Sequence, residues 1–366
     1  MDVGIITPRY PPNTRGGGEV SAKLLAEQLL EELDYTTTVH SFDGNSRETV
    51  NGVNVIRHGN LPQIPELASI LSVMKISDIE DHDILHGYNM ELHPLVGFLS
   101  KMTSKPTVAH LNSYTYIDKR DIGMDLHGKE KAYNNILRPV SSPIIFKFIS
   151  YIDELVAISD TINQIYSPHV GTNISTVSNM VDPSFTPDKI DTKMSETPKI
   201  LYVGSVNNHK GVGSLLNAVE YVDREVELII VGGGNKLNEV RKEASSMNDI
   251  DTRIVGHVEY SQVAQYYSES DIFVHPGKWP EPFGRTILEA MQYGLTVVST
   301  NIGGPSEVIE DSRLLAEPGE PKNIANAIDY AIENRKRIGR QQHNRVVQKY
   351  SPSSVLSDLE DIYNRA

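Results

Sequence analysis

Short apolar runs alternate with helical patterns along nearly the whole chain, in two series separated by a polar stretch, and this arrangement constrains the fold more than any single motif. The first series starts at Val3 to Thr7, followed by a Pro- and Gly-rich loop and a helix with Ala22, Leu25, Ala26, Leu29 and Leu33 on one face. Thr38 to Phe42, Val53 to His58, Asp83 to His86, Thr107 to Leu111, Leu155 to Ile158 and Ile174 to Ser178 read as further strands. From Val181 to Pro198 the pattern gives way to Asp, Pro, Ser, Thr and Lys. A second series then runs through Lys199 to Val203, Glu225 to Val231, Thr252 to Val255, Ile272 to His275, Thr296 to Ser299 and Arg313 to Ala316. Strands alternating with helices imply an α/β fold, each series forming a doubly wound parallel sheet covered on both faces.

The 366 residues suffice for two such domains. We expect one domain over residues 1–182, a linker over 183–198 and a second domain over 199–352. A final helix, with Val355, Leu359 and Ile362 at helical spacing after Pro352, is expected to pack back on the first domain. Doubly wound sheets bind ligands at the carboxyl ends of their strands, so loops of both are expected to face one cleft.

A net charge of −14 argues against general nucleic-acid binding, which needs a basic footprint. The absence of cysteine excludes disulfides, thiol nucleophiles and thiolate zinc sites. Met1 to Arg9 has an acid where a signal peptide wants bases, and no run approaches the ~20 apolar residues of a membrane span. A cytoplasmic location is expected.

Within Trp279 to Gly294, Pro280 and Pro282 disfavour helix, a helix starts near Phe283 or Gly284, and Gly294 ends it. A helix N-terminus offers unpaired N–H groups to a phosphate. Ile287, Leu288 and Met291 form the inward face, which leaves Glu289 free to accept hydrogen bonds from a ribose, with Glu281 ahead of the helix. The residues alone equally allow a solvated Arg285–Glu289 pair and an exposed loop acid at Glu281.

Other loops fall on the same expected rim. Gly16, Gly17 and Gly18 permit positive φ and close approach to a phosphate, although such clusters are more often plain turns. Lys210, after Gly204 and Ser205, can offset a diphosphate charge or be a surface lysine. Val231 to Gly234 and Gly256-His257-Val258 close two further strands, and the latter loop could hold a base through backbone contacts. His110 ends a strand where a neutral imidazole can bond a sugar hydroxyl or be a satisfied structural histidine. His82 and His86 are too far apart on an extended chain, roughly 13 Å, to chelate one ion. Asp81-His82-Asp83 precedes its strand, the wrong edge for a metal site. Between Lys119 and Tyr151, the bases Lys129, Lys131, Arg138 and Lys147 mix with Ile144, Ile145, Phe146, Phe148 and Ile149; a core helix is the favoured reading, a peripheral contact with an anionic membrane face the other.

Taken together, these loops resemble those of retaining glycosyltransferases of family 4, which have the two-domain GT-B fold. Glu281-Pro-Phe-Gly-Arg-Thr-Ile-Leu-Glu289 matches the family's E-x7-E motif. Asn179-Met180-Val181-Asp182 with Phe185 resembles its segment before the linker, and Val297-Val298-Ser299 with Gly303, Gly304 and Glu307 its downstream strand and loop. The resemblance implies that Glu289 binds the ribose, that Glu281, Phe283 and Gly284 contact the donor sugar, and that Lys210, Gly17 and the backbone at Thr286 and Ile287 hold the diphosphate. It implies that His110 faces the transferred sugar. Ser205 departs from the pattern, since many relatives have an arginine there; Arg285 or Lys278 are candidate substitutes.

The implied reaction moves a sugar from a nucleotide donor, of UDP or GDP type, to a glycan or lipid-linked acceptor, with no metal or other cofactor. Its oxocarbenium-like transition state loads charge onto the departing diphosphate, where Lys210 and the helix N-terminus act. No nucleophile is evident for a double displacement, so front-face attack is preferred. The alternatives are a nucleotide-sugar epimerase, a phosphorylase, or a non-catalytic nucleotide-sugar-binding partner.

Overall fold

The computed structural model describes residues 1–13, 16–62, 64–73, 79, 82–124, 126, 128–187, 195–247 and 250–366, with the side chain of Lys129 outside that set. The chain divides into two compact units, Met1–Asn179 with Pro352–Ala366, and Met180–Ser351.

The first unit contains β1 (Asp2–Thr7), α1 (Gly17–Leu33), β2 (Thr36–Ser41), β3 (Arg47–Val50), β4 (Val53–Arg57), α2 (Pro65–Val73), β5 (Ile84–Gly87), α3 (His93–Thr103) and β6 (Thr107–Leu111). It continues with α4 (Gly128–Ala132), α5 (Arg138–Ile149), β7 (Glu154–Ala157), α6 (Asp160–Tyr166) and β8 (Ile174–Thr176). The strands lie in the order β3-β4-β2-β1-β5-β6-β7-β8, all parallel except β3 against β4. Central strands are apolar on both faces because helices cover both: Val3, Ile5, Ile6, Leu85, Val108, Ala109, Leu155 and Val156 are all fully buried.

The second unit contains β9 (Lys199–Val203), α7 (Val212–Val219), β10 (Glu227–Val231), α8 (Leu237–Ala244), β11 (Asp251–Gly256), α9 (Tyr260–Ser268), β12 (Ile272–His275), α10 (Arg285–Gln292), β13 (Thr296–Thr300), α11 (Gly304–Val308), β14 (Leu315–Ala316) and α12 (Pro321–Lys349). Its strands are parallel in the order β11-β10-β9-β12-β13-β14. Phe185, ahead of β9, packs among Tyr260, Tyr267 and Tyr293 at centroid distances of 4.9, 5.8 and 5.4 Å. The final helix, α13 (Pro352–Tyr363), buries Val355, Leu356, Leu359 and Ile362 and belongs to the first unit, where Tyr35 donates to Glu360 at 2.6 Å.

Both sheets are the Rossmann-like parallel sheets expected of a GT-B fold. The strand missing from the sequence reading is β3. Its Arg-Glu-Thr-Val carries no apolar run because it is an exposed edge, tied in by the turn at Asn51-Gly52 and by Arg57, which bonds Asp43 and Glu48, each at 2.6 Å. Among the described residues no helix is long and apolar enough to cross a membrane.

Candidate functional site

In the second unit the strand order reverses direction between β9 and β12, so the loops leaving their carboxyl ends diverge and open a crevice there. The loop after β9 is shaped by Asn207, whose side-chain oxygen accepts from the backbone N–H groups of His209 and Lys210, both at 3.1 Å. Gly211 then turns the chain at φ +70°, and a Cβ there would lie 1.8 Å from the Pro276 carbonyl oxygen. That close passage, with Lys278 N–H donating to the His209 carbonyl at 2.8 Å, locks the two loops together.

The result is a charged cluster. Lys210 Nζ lies 2.5 Å from Glu281 Oε2, and His275 Nε2, at the end of β12, lies 2.8 Å from the same oxygen. Burial alone would raise the Glu281 carboxyl, but the Lys210 and His275 side chains outweigh it and hold the group far below the usual carboxylate range. The Glu281 backbone is pinned from behind: Gly304 N–H donates to its carbonyl at 2.9 Å, and Gly303 sits at φ +70° where a Cβ would come within 2.7 Å of the Glu281 nitrogen.

The other expected residues of this unit surround the cluster or lie along the same edge. Gly284 is the N-cap of α10 at φ +93°, and the helix starts at Arg285. Thr286 is half-buried at its first turn, whereas the Ile287 N–H already donates to the Gly284 carbonyl at 3.0 Å, so in this state only the donors ahead of it are available to an anion. Phe283 is buried, 6.2 Å from Tyr350. Ser205 is exposed and its Oγ accepts from Asn207 at 3.1 Å. Gly204 and Gly232 serve close packing, since a Cβ on Gly232 would lie 1.8 Å from the Gly204 carbonyl oxygen and one on Gly204 2.9 Å from the Tyr202 hydroxyl, while the carbonyl of Gly256, at φ +88°, accepts from Gly232 N–H at 2.8 Å. His257 is exposed and Val258 half-buried on that rim.

Glu289 corrects the reading that it points freely outward. It is 6% exposed, accepts from Tyr267 at 2.9 Å and Tyr260 at 3.1 Å, and stands 3.9 Å from Arg285. Ile287 to Gln292 are all buried. Periodicity identifies the most apolar face of α10 but cannot show that α9 and its tyrosines cover another.

In the first unit Gly16 is extended, at φ −169°, and none of Gly16, Gly17 and Gly18 uses the left-handed freedom expected of them. Close approach is what Gly18 provides, since a Cβ there would lie 3.0 Å from Asn89 Oδ1. Gly16 N–H donates to Glu19 at 3.0 Å, and Glu19 pairs with Arg9 at 3.3 Å. His110 is the penultimate residue of β6, 5% exposed, with its Nδ1 2.6 Å from His86 Nε2 and its carbonyl accepting from His93 Nε2 at 2.8 Å. His82 belongs elsewhere, bonded to Asp2 at 3.1 Å and His40 at 2.8 Å, while Asp83 accepts from the Asp2 N–H at 2.8 Å. Asp81 lies outside the described residues. Among those described, no group of three or more His, Asp or Glu is placed to hold a metal ion. Along α5, Ile145, Phe146 and Ile149 are buried whereas Val140 and Ile144 are exposed.

The sequence reading missed His275 and Tyr363. His275 has the signal of a polar residue closing an apolar strand beside the switch point. Tyr363 has none, because its partner is 277 residues away.

Comparison with known proteins agrees with this architecture. Residues 15–185 match the model described as Glycosyltransferase Family 4, and residues 186–349 match that of Glycosyl transferases group 1. The chain is a GT-B-fold glycosyltransferase related to the group 1 and family 4 enzymes. An uncharacterized glycosyltransferase of Methanocaldococcus jannaschii is 24% identical over 100% of this chain and 98% of its own length. Among solved structures, the transferase resembles sucrose-phosphate synthase from Thermosynechococcus elongatus, with TM-score 0.82, 17% identity and coverage of 100% and 98%. It also resembles Anabaena HepE in complex with UDP, with TM-score 0.76, 17% identity and full coverage of both chains.

Proposed function

We propose that this transferase moves a sugar, with retention of configuration, from a nucleoside diphosphate sugar of UDP or GDP type to a glycan or lipid-linked acceptor. The observation that carries the reading is the Lys210–Glu281–His275 cluster at the β9/β12 switch point, beside the N-terminus of α10. The donor diphosphate draws Lys210 from Glu281 and sits against the backbone donors at Arg285 and Thr286. Glu289 receives the ribose hydroxyls, and Glu281, oriented by His275, receives hydroxyls of the sugar. As the bond from the anomeric carbon to the phosphate oxygen breaks, charge grows on the diphosphate, where Lys210, Arg285 and the helix dipole oppose it without a metal. The acceptor oxygen attacks on the face the leaving group departs from, and its proton passes to the departing phosphate oxygen. Arg285 and Lys278 supply the positive charge that an arginine at position 205 would.

The first unit's part is proposed from the resemblance: His110 contacts the transferred sugar and Gly17 the diphosphate. The exposed Ile136, Val140 and Ile144 near Lys131 and Lys147 are proposed to touch a cytoplasmic membrane face or a lipid-linked acceptor. A thermal-shift panel of nucleotide sugars, followed by proton NMR of the transferred or hydrolysed sugar, tests the reading. An α-configured product from an α-configured donor supports it, and an inverted product contradicts it. Conversion of the nucleotide sugar itself with no acceptor present identifies an epimerase instead.

A further inference from the structure

We propose that Tyr363 of the C-terminal helix and His86 of β5 are positioning residues that fix the tautomer of His110, so that His110 presents an Nε2–H donor at the carboxyl edge of the sheet. The three side chains form one chain of hydrogen bonds: Tyr363 hydroxyl to His86 Nδ1 at 2.5 Å, and His86 Nε2 to His110 Nδ1 at 2.6 Å. The two imidazoles are nearly coplanar, 9° between planes with centroids 4.8 Å apart, the geometry of rings joined edge to edge through one N–H···N bond.

The polarity of this chain follows from counting protons. All three groups are neutral: burial pushes the Tyr363 phenol well above its ordinary range and the His86 imidazole well below its own, and burial, then His93, lower His110 to about 3. Tyr363 therefore carries one proton, and among the described residues His86 Nδ1 is the only acceptor its hydroxyl meets. If the phenol donates, His86 Nδ1 is an acceptor, its proton is on Nε2, and that proton is given to His110 Nδ1. The single proton of neutral His110 is then on Nε2, which has no partner among the described residues. The reverse polarity would place N–H groups at His110 Nδ1 and His86 Nδ1 and leave the phenol proton without an acceptor in a sealed site, an arrangement protein interiors avoid. His93 donates to the His110 carbonyl at 2.8 Å and holds the backbone of the same residue.

The consequence is a specific chemistry for His110. A neutral Nε2–H donates to a lone pair of a hydroxyl or ring oxygen; it is neither a cation nor a general base at neutral pH. What that donor meets rests on the proposed function, but the tautomer does not.

The test is a two-bond proton–nitrogen correlation spectrum of the full chain labelled with nitrogen-15 histidine, with His110 assigned by the loss of its signals in His110→Gln. Wild type is expected to show His110 protonated at Nε2. Tyr363→Phe, which removes the terminal proton, is expected to give His110 a substantial Nδ1–H population and to lower kcat several-fold with KM for the nucleotide sugar little changed. A wild-type His110 protonated at Nδ1 overturns the proposal, as does an unchanged Nε2–H tautomer in a folded Tyr363→Phe. If Tyr363→Phe does not fold, His86→Gln is read the same way, and the wild-type spectrum decides polarity without any variant. A wild-type Nε2–H signal with full transfer by His110→Gln would uphold the relay and remove His110 from the reaction.

Discussion

Glu281→Gln separates the two roles assigned to the cluster, because the carboxylate restrains Lys210 in the free protein and serves the sugar during transfer. The Lys210–Glu281 contact is 2.5 Å with each side chain about one-fifth exposed, 20% and 19%. At an effective dielectric of ~20 the bare attraction at that distance is roughly 6–7 kcal/mol. Desolvation consumes most of it, and the net worth of a charged hydrogen bond of this kind is about 1.5–3 kcal/mol. A diphosphate must draw Lys210 out of this pair. A glutamine keeps one acceptor but no charge, so roughly half of the restraint, about 0.8–1.5 kcal/mol, is released. Calorimetric titration should then show UDP, or GDP if that is the donor base, binding Glu281→Gln roughly three- to tenfold more tightly than wild type. Sugar transfer should fall at least ~100-fold in the same variant, since a preorganised polar contact is lost from the transition state. Unchanged or weaker nucleoside diphosphate binding in a folded Glu281→Gln would refute the reasoning that Lys210 serves the diphosphate and is held in reserve by Glu281.

The depressed Glu281 carboxyl gives a pH dependence of defined sign: the cluster's stabilisation is complete above the group's ordinary value of 4.5 and is lost progressively as pH falls from there toward the far lower value of the folded protein, so the gap between the urea midpoints of wild type and Glu281→Gln should begin to narrow only below 4.5 and should not close until pH falls through the folded value. Glu289→Gln, at a carboxylate accepting from two tyrosines, should cost about 1–3 kcal/mol in urea unfolding and weaken nucleotide binding; a surface-like change below ~0.5 kcal/mol would contradict its burial. Gly303→Ala places a Cβ 2.7 Å from the Glu281 nitrogen at φ +70°, so it should destabilise by more than ~1 kcal/mol and lower transfer together, measured by thermal melting and initial rates.

Buried parallel strands were legible because both their faces are apolar: Thr107 to Leu111, Lys199 to Val203 and Ile272 to His275 were read with the bounds they have in the structure. The edge strand β3 was not, because an exposed antiparallel edge has no buried run to mark it. The start of α10, read near Phe283 or Gly284 from Pro280, Pro282 and the glycine itself, falls at Arg285 with Gly284 as its N-cap. The contact between Lys210 and Glu281 could not be read, since it depends on which strands are neighbours at the switch point and on the backbone passage at Gly211. Glu289 shows the limit of periodicity, which ranks the faces of one helix and carries nothing about what a second element lays over them. Tyr363 is the extreme case: a buried phenol far along the chain from its histidine leaves no local pattern.

The most direct measurement is calorimetric titration of wild type and Lys210→Met with a nucleoside diphosphate and with its parent nucleoside, for both the uridine and the guanosine series. One diphosphate is expected to bind wild type, with its parent nucleoside far weaker, and Lys210→Met is expected to lose most of the difference while remaining folded. Equal binding of diphosphate and nucleoside, or a folded Lys210→Met that binds the diphosphate as wild type does, would contradict a diphosphate site at the β9/β12 switch point.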